Sequence, residues 1–239
     1  MIINLISGPR NISTALMYSF AQRGDTKVID EPFYAFYLNQ FPQLDHPGRE
    51  DVLQCMSSDP EKILKQIEEL HQDHPILFLK NMAHHHLGLD WSYMKSFKNV
   101  FLIRNPKQLI ASFAQVISNP TLQDIGLKEE ADLLTYVEQT GDHAPIVIDS
   151  NQILPDPEEG LRKLCEDLTI PFQSEMLSWK KGPIPEDGVW ATYWYHNVHN
   201  STGFAKQPTS DRPLPTHCEV LYQEALPYFE KLHNYTLKH

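Results

Sequence analysis

Four short stretches of this sequence carry residue types that bind a charged group or move a proton. Arg10, Ser13 and Thr14 follow Ser7-Gly8-Pro9, so a guanidinium and two hydroxyls stand at a turn. Asp30 and Glu31 close the run Thr26-Lys27-Val28-Ile29 and precede Pro32. Lys80 ends the apolar run Ile76-Leu77-Phe78-Leu79. Arg104 ends Asn99-Val100-Phe101-Leu102-Ile103, with Ser112 eight residues further on. Guanidinium and hydroxyl donors suit a phosphate or sulfate, because charge-assisted hydrogen bonds to its oxygens are strong. Carboxylates beside such a site suit proton transfer, unless Asp30 merely caps a turn and Glu31 is solvated. His84-His85-His86 adds three imidazoles. Neighbouring residues point about 100° apart on a helix and opposite ways on a strand. Three in a row therefore do not share one ion, no metal is expected, and one of them stands available as a proton acceptor.

The elements that must position these groups follow from periodicity. Ile2 to Ile6 reads as a buried strand, Ser7-Gly8-Pro9 as a turn, and Ile12, Leu16 and Phe20 as one face of a helix that Gly24 closes as C′. A helix opening directly after a strand and a turn aims free N–H groups and the positive end of its dipole at one point, which favours an anion. Four further strands are expected at 26–32, 76–80, 99–104 and 145–149. In α/β sheets ligands sit at the carboxyl ends of the strands, so Arg10, Lys80 and Arg104 converge above one sheet.

Helices are expected from Pro60, with Ile63, Leu64, Ile67 and Leu70 inward, and from Pro106, with Leu109, Ile110, Phe113, Val116 and Ile117 inward. Others are expected over 127–140, around Leu161 to Leu168, and over 218–232 as a surface helix bent at Pro227. Residues 42–60 read as a long connection. Phe33-Tyr34-Ala35-Phe36-Tyr37 either lines a pocket or packs the core. Gly188 to Phe204, rich in large aromatics, reads as a lid over a planar ligand or a structural Ω-loop.

The chain of 239 residues is long enough for one α/β domain over 1–239, with no linker or repeat to divide it. Its 31 acidic and 20 basic residues leave 11 net negative charges, which argues against a nucleic-acid or anionic-membrane partner and makes any anion site local. Cys55, Cys165 and Cys218 are odd in number and far apart, which points to a reducing, cytoplasmic setting. No stretch has the length of a membrane span.

The motifs resemble those of the P-loop-like sulfotransferases, which move a sulfuryl group from 3′-phosphoadenosine 5′-phosphosulfate (PAPS) to a hydroxyl or amine. Pro9-Arg10-Asn11-Ile12-Ser13-Thr14 is similar to the family's 5′-phosphosulfate loop. Arg104 followed by Ser112 across a strand-to-helix turn is similar to its 3′-phosphate site, and Lys181-Gly182 with Trp190 weakly resembles its late Lys-Gly loop. The resemblance implies a three-layer, P-loop NTPase-like α/β domain with a mostly parallel sheet of about five strands. It further implies a PAPS co-substrate, no metal, and a small-molecule acceptor. Gly8, Pro9, Arg10, Asn11, Ile12, Ser13, Thr14, Arg104 and Ser112 are then expected to hold the donor, and Glu31, Arg10 and Lys80 to act in transfer.

There are departures from the pattern. Ile12 replaces the usual loop glycine and must avoid positive φ, and Met82 stands where cytosolic members carry their catalytic His. Glu31 matches the base of other branches, with His84, His85 or His86 as alternatives. A second reading is an ATP- or GTP-dependent phosphotransferase, with Val28-Ile29-Asp30-Glu31 as a Walker B acid pair and Thr14 on Mg²⁺; the missing Gly-Lys weighs against it. A third is a nucleotide-binding module without chemistry. Neither the acceptor nor the oligomeric state is written in these motifs.

Overall fold

The computed structural model describes residues 1–44, 46–205 and 212–236. Five strands, β1 (Ile2–Ser7), β2 (Thr26–Asp30), β3 (Ile76–Met82), β4 (Lys98–Ile103) and β5 (Ile146–Asp149), form one parallel sheet in the order β2-β3-β1-β4-β5. The chain thus builds one side of β1 with β2 and β3 and the other with β4 and β5. The reversal of direction at β1 opens a crevice above its carboxyl end.

Both faces of the sheet are covered, which is why the strands read as apolar runs rather than alternations. Ile3, Leu5, Phe78, Val100 and Leu102 pack on one face, with α1 (Ser13–Phe20) and the late part of the chain. Ile6, Phe101 and Ile103 pack on the other, with α5 (Pro106–Phe113), α7 (Leu127–Thr140) and α12 (Glu219–Thr236). Phe20 stacks on Phe78 at 4.1 Å between ring centroids and fixes α1 to the sheet. A buried ladder crosses the three central strands: Asn81 donates to Asn4 (2.8 Å), Asn4 to Asn99 (3.0 Å), and Asn99 to the Met94 carbonyl (2.8 Å). These linked amides help fix the register of the strands whose ends build the site.

The helices between strands follow from caps and amphipathic stripes. After β2 come α2 (Tyr34–Gln40), α3 (Arg49–Cys55) and α4 (Pro60–Asp73). Asp59 caps α4, with Ile63 and Ile67 buried. The connection expected over 42–60 therefore contains a helix, α3, whose only buried residue is Val52, too little apolar stripe to read from sequence. After β4 come α5 (Pro106–Phe113), capped by Asn105, then α6 (Leu122–Ile125) and α7 (Leu127–Thr140). Because α5 ends at Phe113, Val116 (51 % exposed) and Ile117 (37 %) do not face the core as expected. After β5 come α8 (Ser150–Ile153), α9 (Pro157–Asp167), α10 (Ala191–Trp194), α11 (His196–His199) and α12 (Glu219–Thr236). The last holds Pro227 within it and buries Leu221, Ala225, Phe229 and Leu232 beside α7, so it is a packed layer rather than a surface helix. α1 is capped at Ala21 in right-handed geometry, and Gly24 has no positive φ, so Gly24 is not its C′ residue.

Candidate functional site

The loop expected to bind an anion joins β1 to α1. Gly8 is required by packing: a Cβ there would lie 2.4 Å from the Ile125 carbonyl oxygen at the α6–α7 corner. Asn11 Nδ2 donates to the Leu102 carbonyl on β4 (2.7 Å) while its Oδ1 accepts the Ile12 N–H (3.0 Å), which folds the loop over the sheet edge. Ile12 takes φ −88°, as its side chain demands. The left-handed position falls instead at Arg10, with φ 56°. No side chain caps α1, so its first N–H groups remain available to a ligand beside Ser13 and Thr14.

Arg104 reaches down from β4 to donate to the Arg10 carbonyl, and Arg10 Nε donates to Ser112 Oγ on α5 (3.3 Å). Arg212 joins the same wall. Among the described residues no ion pair involves any of the three guanidiniums. Burial, and then repulsion from Arg212, lowers the pKa of Arg10; burial, and then repulsion from Arg10, lowers that of Arg104. Arg10 and Arg104 are half-buried and repel each other, Arg212 beside them is exposed, and Asp149 offsets part of the repulsion at Arg104. Such a cationic group at a helix N-terminus suits a polyanion.

A different cluster lies at the ends of β2 and β3. Their register sets Asp30 opposite Lys80. Glu31 follows with φ 43°, a conformation costing on the order of 1–3 kcal/mol. Its backbone is over-determined there: its N–H donates to the Lys80 carbonyl (2.7 Å) and its carbonyl accepts from Tyr34 (2.9 Å). The turn sends the two acids apart. Glu31 lines the cavity, whereas Asp30 points away and accepts from the Gly188 N–H (3.2 Å) and the Tyr195 hydroxyl (2.8 Å). Lys80 Nζ donates to Glu31 Oε1 and to the Tyr195 hydroxyl (2.8 Å), and lies 3.3 Å from Asp30. Burial raises the Glu31 carboxyl; Lys80 opposes this and Asp30 adds to it, and the net effect is a pKa pushed up to about 7. For Lys80, burial is the largest influence and acts downward, but the two acids outweigh it and leave its pKa raised.

The three histidines occupy a single 3₁₀ turn, Ala83–His86, after β3. Burial lowers all of them: His84 to about 3, His86 to about 4, and His85 well below its ordinary value, so each is neutral. His84 and His85 line the cavity; His86 turns away, its Nδ1 3.2 Å from the Met82 carbonyl. His85 Nδ1 lies 3.8 Å from Glu31 Oε2, and the His85 ring stacks on Tyr34 at 4.6 Å. Of the aromatic run after β2, Tyr34 and Tyr37 line the cavity, while Phe33 and Phe36 pack in the core.

One cavity of about 870 Å³ joins the two clusters. Pro9, Arg10, Asn11, Ile12, Ser13, Thr14, Glu31, Lys80, Arg104 and Ser112 all line it. Gly8 lies behind the loop, and Met82 lines the wall without any acid–base group. Lys181 and Gly182 are not among the lining residues. The late aromatics divide: Trp190, Trp194 and Tyr195 line the cavity, while Tyr193 is 51 % exposed. The sequence does not reveal Arg212, and it marks Tyr195 only as part of the aromatic lid, not as the partner of Lys80 and Asp30. Arg212 stands alone in Asp211-Arg212-Pro213, without periodicity or motif, and Tyr195 is one aromatic among several.

A sulfotransferase-domain family model matches residues 1–236, and the chain belongs to that family. It is 41 % identical over its full length to an Arabidopsis thaliana protein called branched-chain-amino-acid aminotransferase-like protein 1, of which it covers 42 %. The chain thus spans less than half the length of the curated relatives it matches. The fold is shared with the sulfotransferase domain of the Synechococcus PCC 7002 olefin synthase (TM-score 0.57, 15 % identity, 93 % of each chain). It is also shared with the sulfotransferase domain of the curacin biosynthetic pathway (TM-score 0.56, 16 % identity, 96 % of this chain and 97 % of that one).

Proposed function

We propose that this chain is a PAPS-dependent sulfotransferase acting on a hydroxyl or amine of a small acceptor. The observation that carries the donor assignment is the set of guanidiniums, Arg10, Arg104 and Arg212, none of them ion-paired among the described residues, around the uncapped N-terminus of α1. The loop N–H groups, Arg10, Ser13 and Thr14 hold the 5′-phosphosulfate; Arg104, Ser112 and Arg212 hold the 3′-phosphate. The donor supplies an activated sulfuryl group with a phosphate leaving oxygen. Glu31 Oε2 accepts the acceptor's proton as its oxygen or nitrogen bonds to sulfur, and the cations stabilise the electron pair that departs on the leaving oxygen. Lys80 holds Glu31 in place. A pKa of about 7 suits a base at neutral pH.

The positive charge that Mg²⁺ brings to phosphoryl transfer is supplied here by arginines, so the proposal contains no metal. The phosphotransferase reading is disfavoured by Asp30: in place of a carboxylate free for Mg²⁺, it is engaged by Tyr195 and the Gly188 N–H. The free thiols of Cys55, Cys165 and Cys218 agree with a cytoplasmic setting. Calorimetric titration with 3′-phosphoadenosine 5′-phosphate, beside ATP with Mg²⁺, tests the reading on wild type and Arg104→Ala. Tight binding of the 3′-phosphorylated nucleotide, weakened about 10- to 100-fold by the substitution, is expected. Preference for ATP overturns it, and binding without transfer to any acceptor in a broad panel favours the module without chemistry.

A further inference from the structure

The late segment 188–199 does more than roof the cavity. Tyr195, at the junction of α10 and α11, sends its hydroxyl under the floor of the site, where its hydrogen-bonding capacity is fully used. It donates one proton to Asp30 (2.8 Å) and accepts from Lys80 Nζ (2.8 Å) and from Trp190 Nε1 (3.1 Å). Tyr195 is 4 % exposed and the Lys80 side chain 2 %. Asp30 is held a second time by the Gly188 N–H, and Gly188 is obligatory: a Cβ there would meet the Trp190 ring at 2.1 Å. Residues more than a hundred positions apart in sequence therefore share one buried hydrogen-bond set, whose open end is Glu31.

We propose that Tyr195, backed by Asp30 and Trp190, is a positioning residue that holds the Lys80 ammonium against Glu31, so that docking of segment 188–199 completes the proton-accepting cluster. Lys80 has two buried carboxylates to choose between. The Tyr195 hydroxyl donates to Asp30 and so occupies much of its capacity, while offering Lys80 a fixed third ligand. The ammonium is thereby triangulated between Asp30, Tyr195 and Glu31 Oε1, and Glu31 Oε2 is left free toward the cavity and His85. Without the hydroxyl, Lys80 loses a ligand, Asp30 loses a charge-assisted bond, and the Trp190 N–H is orphaned in a buried site.

This inference rests on the sulfotransferase reading for its consequence in turnover but not for its geometry, and the test separates the two. The Lys80 side-chain ammonium is observed by ¹⁵N NMR in the protein without nucleotide and assigned by its disappearance in Lys80→Met. A slowly exchanging signal is expected in wild type and its loss in Tyr195→Phe, while the amide spectrum of the sheet is retained. A Lys80 signal unchanged in Tyr195→Phe overturns the proposal whether or not the protein transfers sulfate. Where transfer is measured, Tyr195→Phe lowers kcat roughly tenfold or more, with nucleotide affinity held within about twofold. The same change made in Glu31→Gln then costs nothing further, because Tyr195 acts through Glu31. Additive losses in the double variant also overturn it. Asp30→Asn, which keeps the shape and removes the charge, is expected to reproduce the loss of the Lys80 signal.

Discussion

The two ends of the cavity solve opposite electrostatic problems. At the loop end, Arg10, Arg104 and Arg212 gather positive charge that no ion pair among the described residues neutralises and that Asp149 offsets only in part. At the strand end, two buried acids, Asp30 and Glu31, share the single ammonium of Lys80 and are knitted to it by Tyr195. The first arrangement is incomplete without a ligand; the second is complete without one. An uncompensated cluster stores affinity, since a polyanion relieves repulsion already present. A compensated cluster stores geometry, since its hydrogen bonds are formed before anything reacts.

The sharpest way to break this contrast is Glu31→Gln. Removing the proton acceptor is expected to lower turnover by about 10²- to 10⁴-fold while leaving nucleotide affinity within about twofold. Initial rates of transfer beside calorimetry check it, and a surviving rate would move the base to His85. The converse comes next: Arg212→Ala weakens binding of 3′-phosphoadenosine 5′-phosphate by about 10- to 100-fold and leaves the Lys80–Glu31 cluster intact. If Arg212→Ala binds as wild type does, the donor wall ends at Arg104.

A substitution that should not respect the division is Phe20→Ala, which removes the stack on Phe78 beneath α1. A destabilisation of about 3–5 kcal/mol is expected from chemical denaturation, since a buried aromatic is lost and a cavity remains.

The smallest effects are those of pH. As the proposed proton acceptor Glu31 must act deprotonated, so kcat is expected to rise with pH through about 7 and to level above it. Its folded pKa lies above the ordinary 4.5, so its protonated form favours the folded state. The stability it contributes is full below about 4.5 and is lost as pH rises through about 7. Thermal melts of wild type against Glu31→Gln across that window are expected to show wild type losing stability relative to the variant as pH rises. Parallel melting curves would sink the assignment.

Much of the donor end was legible because it is local. A strand, a Gly-Pro turn and a helix starting at Ser13 lie within twenty residues, and their periodicities and turn chemistry specify them without distant contacts. The departure at Ile12 is legible too: a branched side chain keeps φ negative, and the strain moves to Arg10. The α3 helix was not legible, since a single buried residue leaves no stripe. Nor was the inward packing of α12, whose partner α7 lies far away in sequence.

By itself, then, the sequence determined the order of strands and major helices along the chain, the strand–turn–helix at Gly8-Pro9, and the delivery of Lys80 and Arg104 to one sheet edge. Each of these follows from short-range patterns repeated over a few residues. Only the tertiary structure decided which of the adjacent acids faces the cavity, which histidines do, and that Arg212 and Tyr195 complete opposite ends of it. At Asp30 and Glu31 the choice turns on one backbone angle held by hydrogen bonds to Lys80 and Tyr34. Tyr195 meets Asp30 across 165 residues of chain. Such choices depend on which surfaces the fold brings together, and no local periodicity records them.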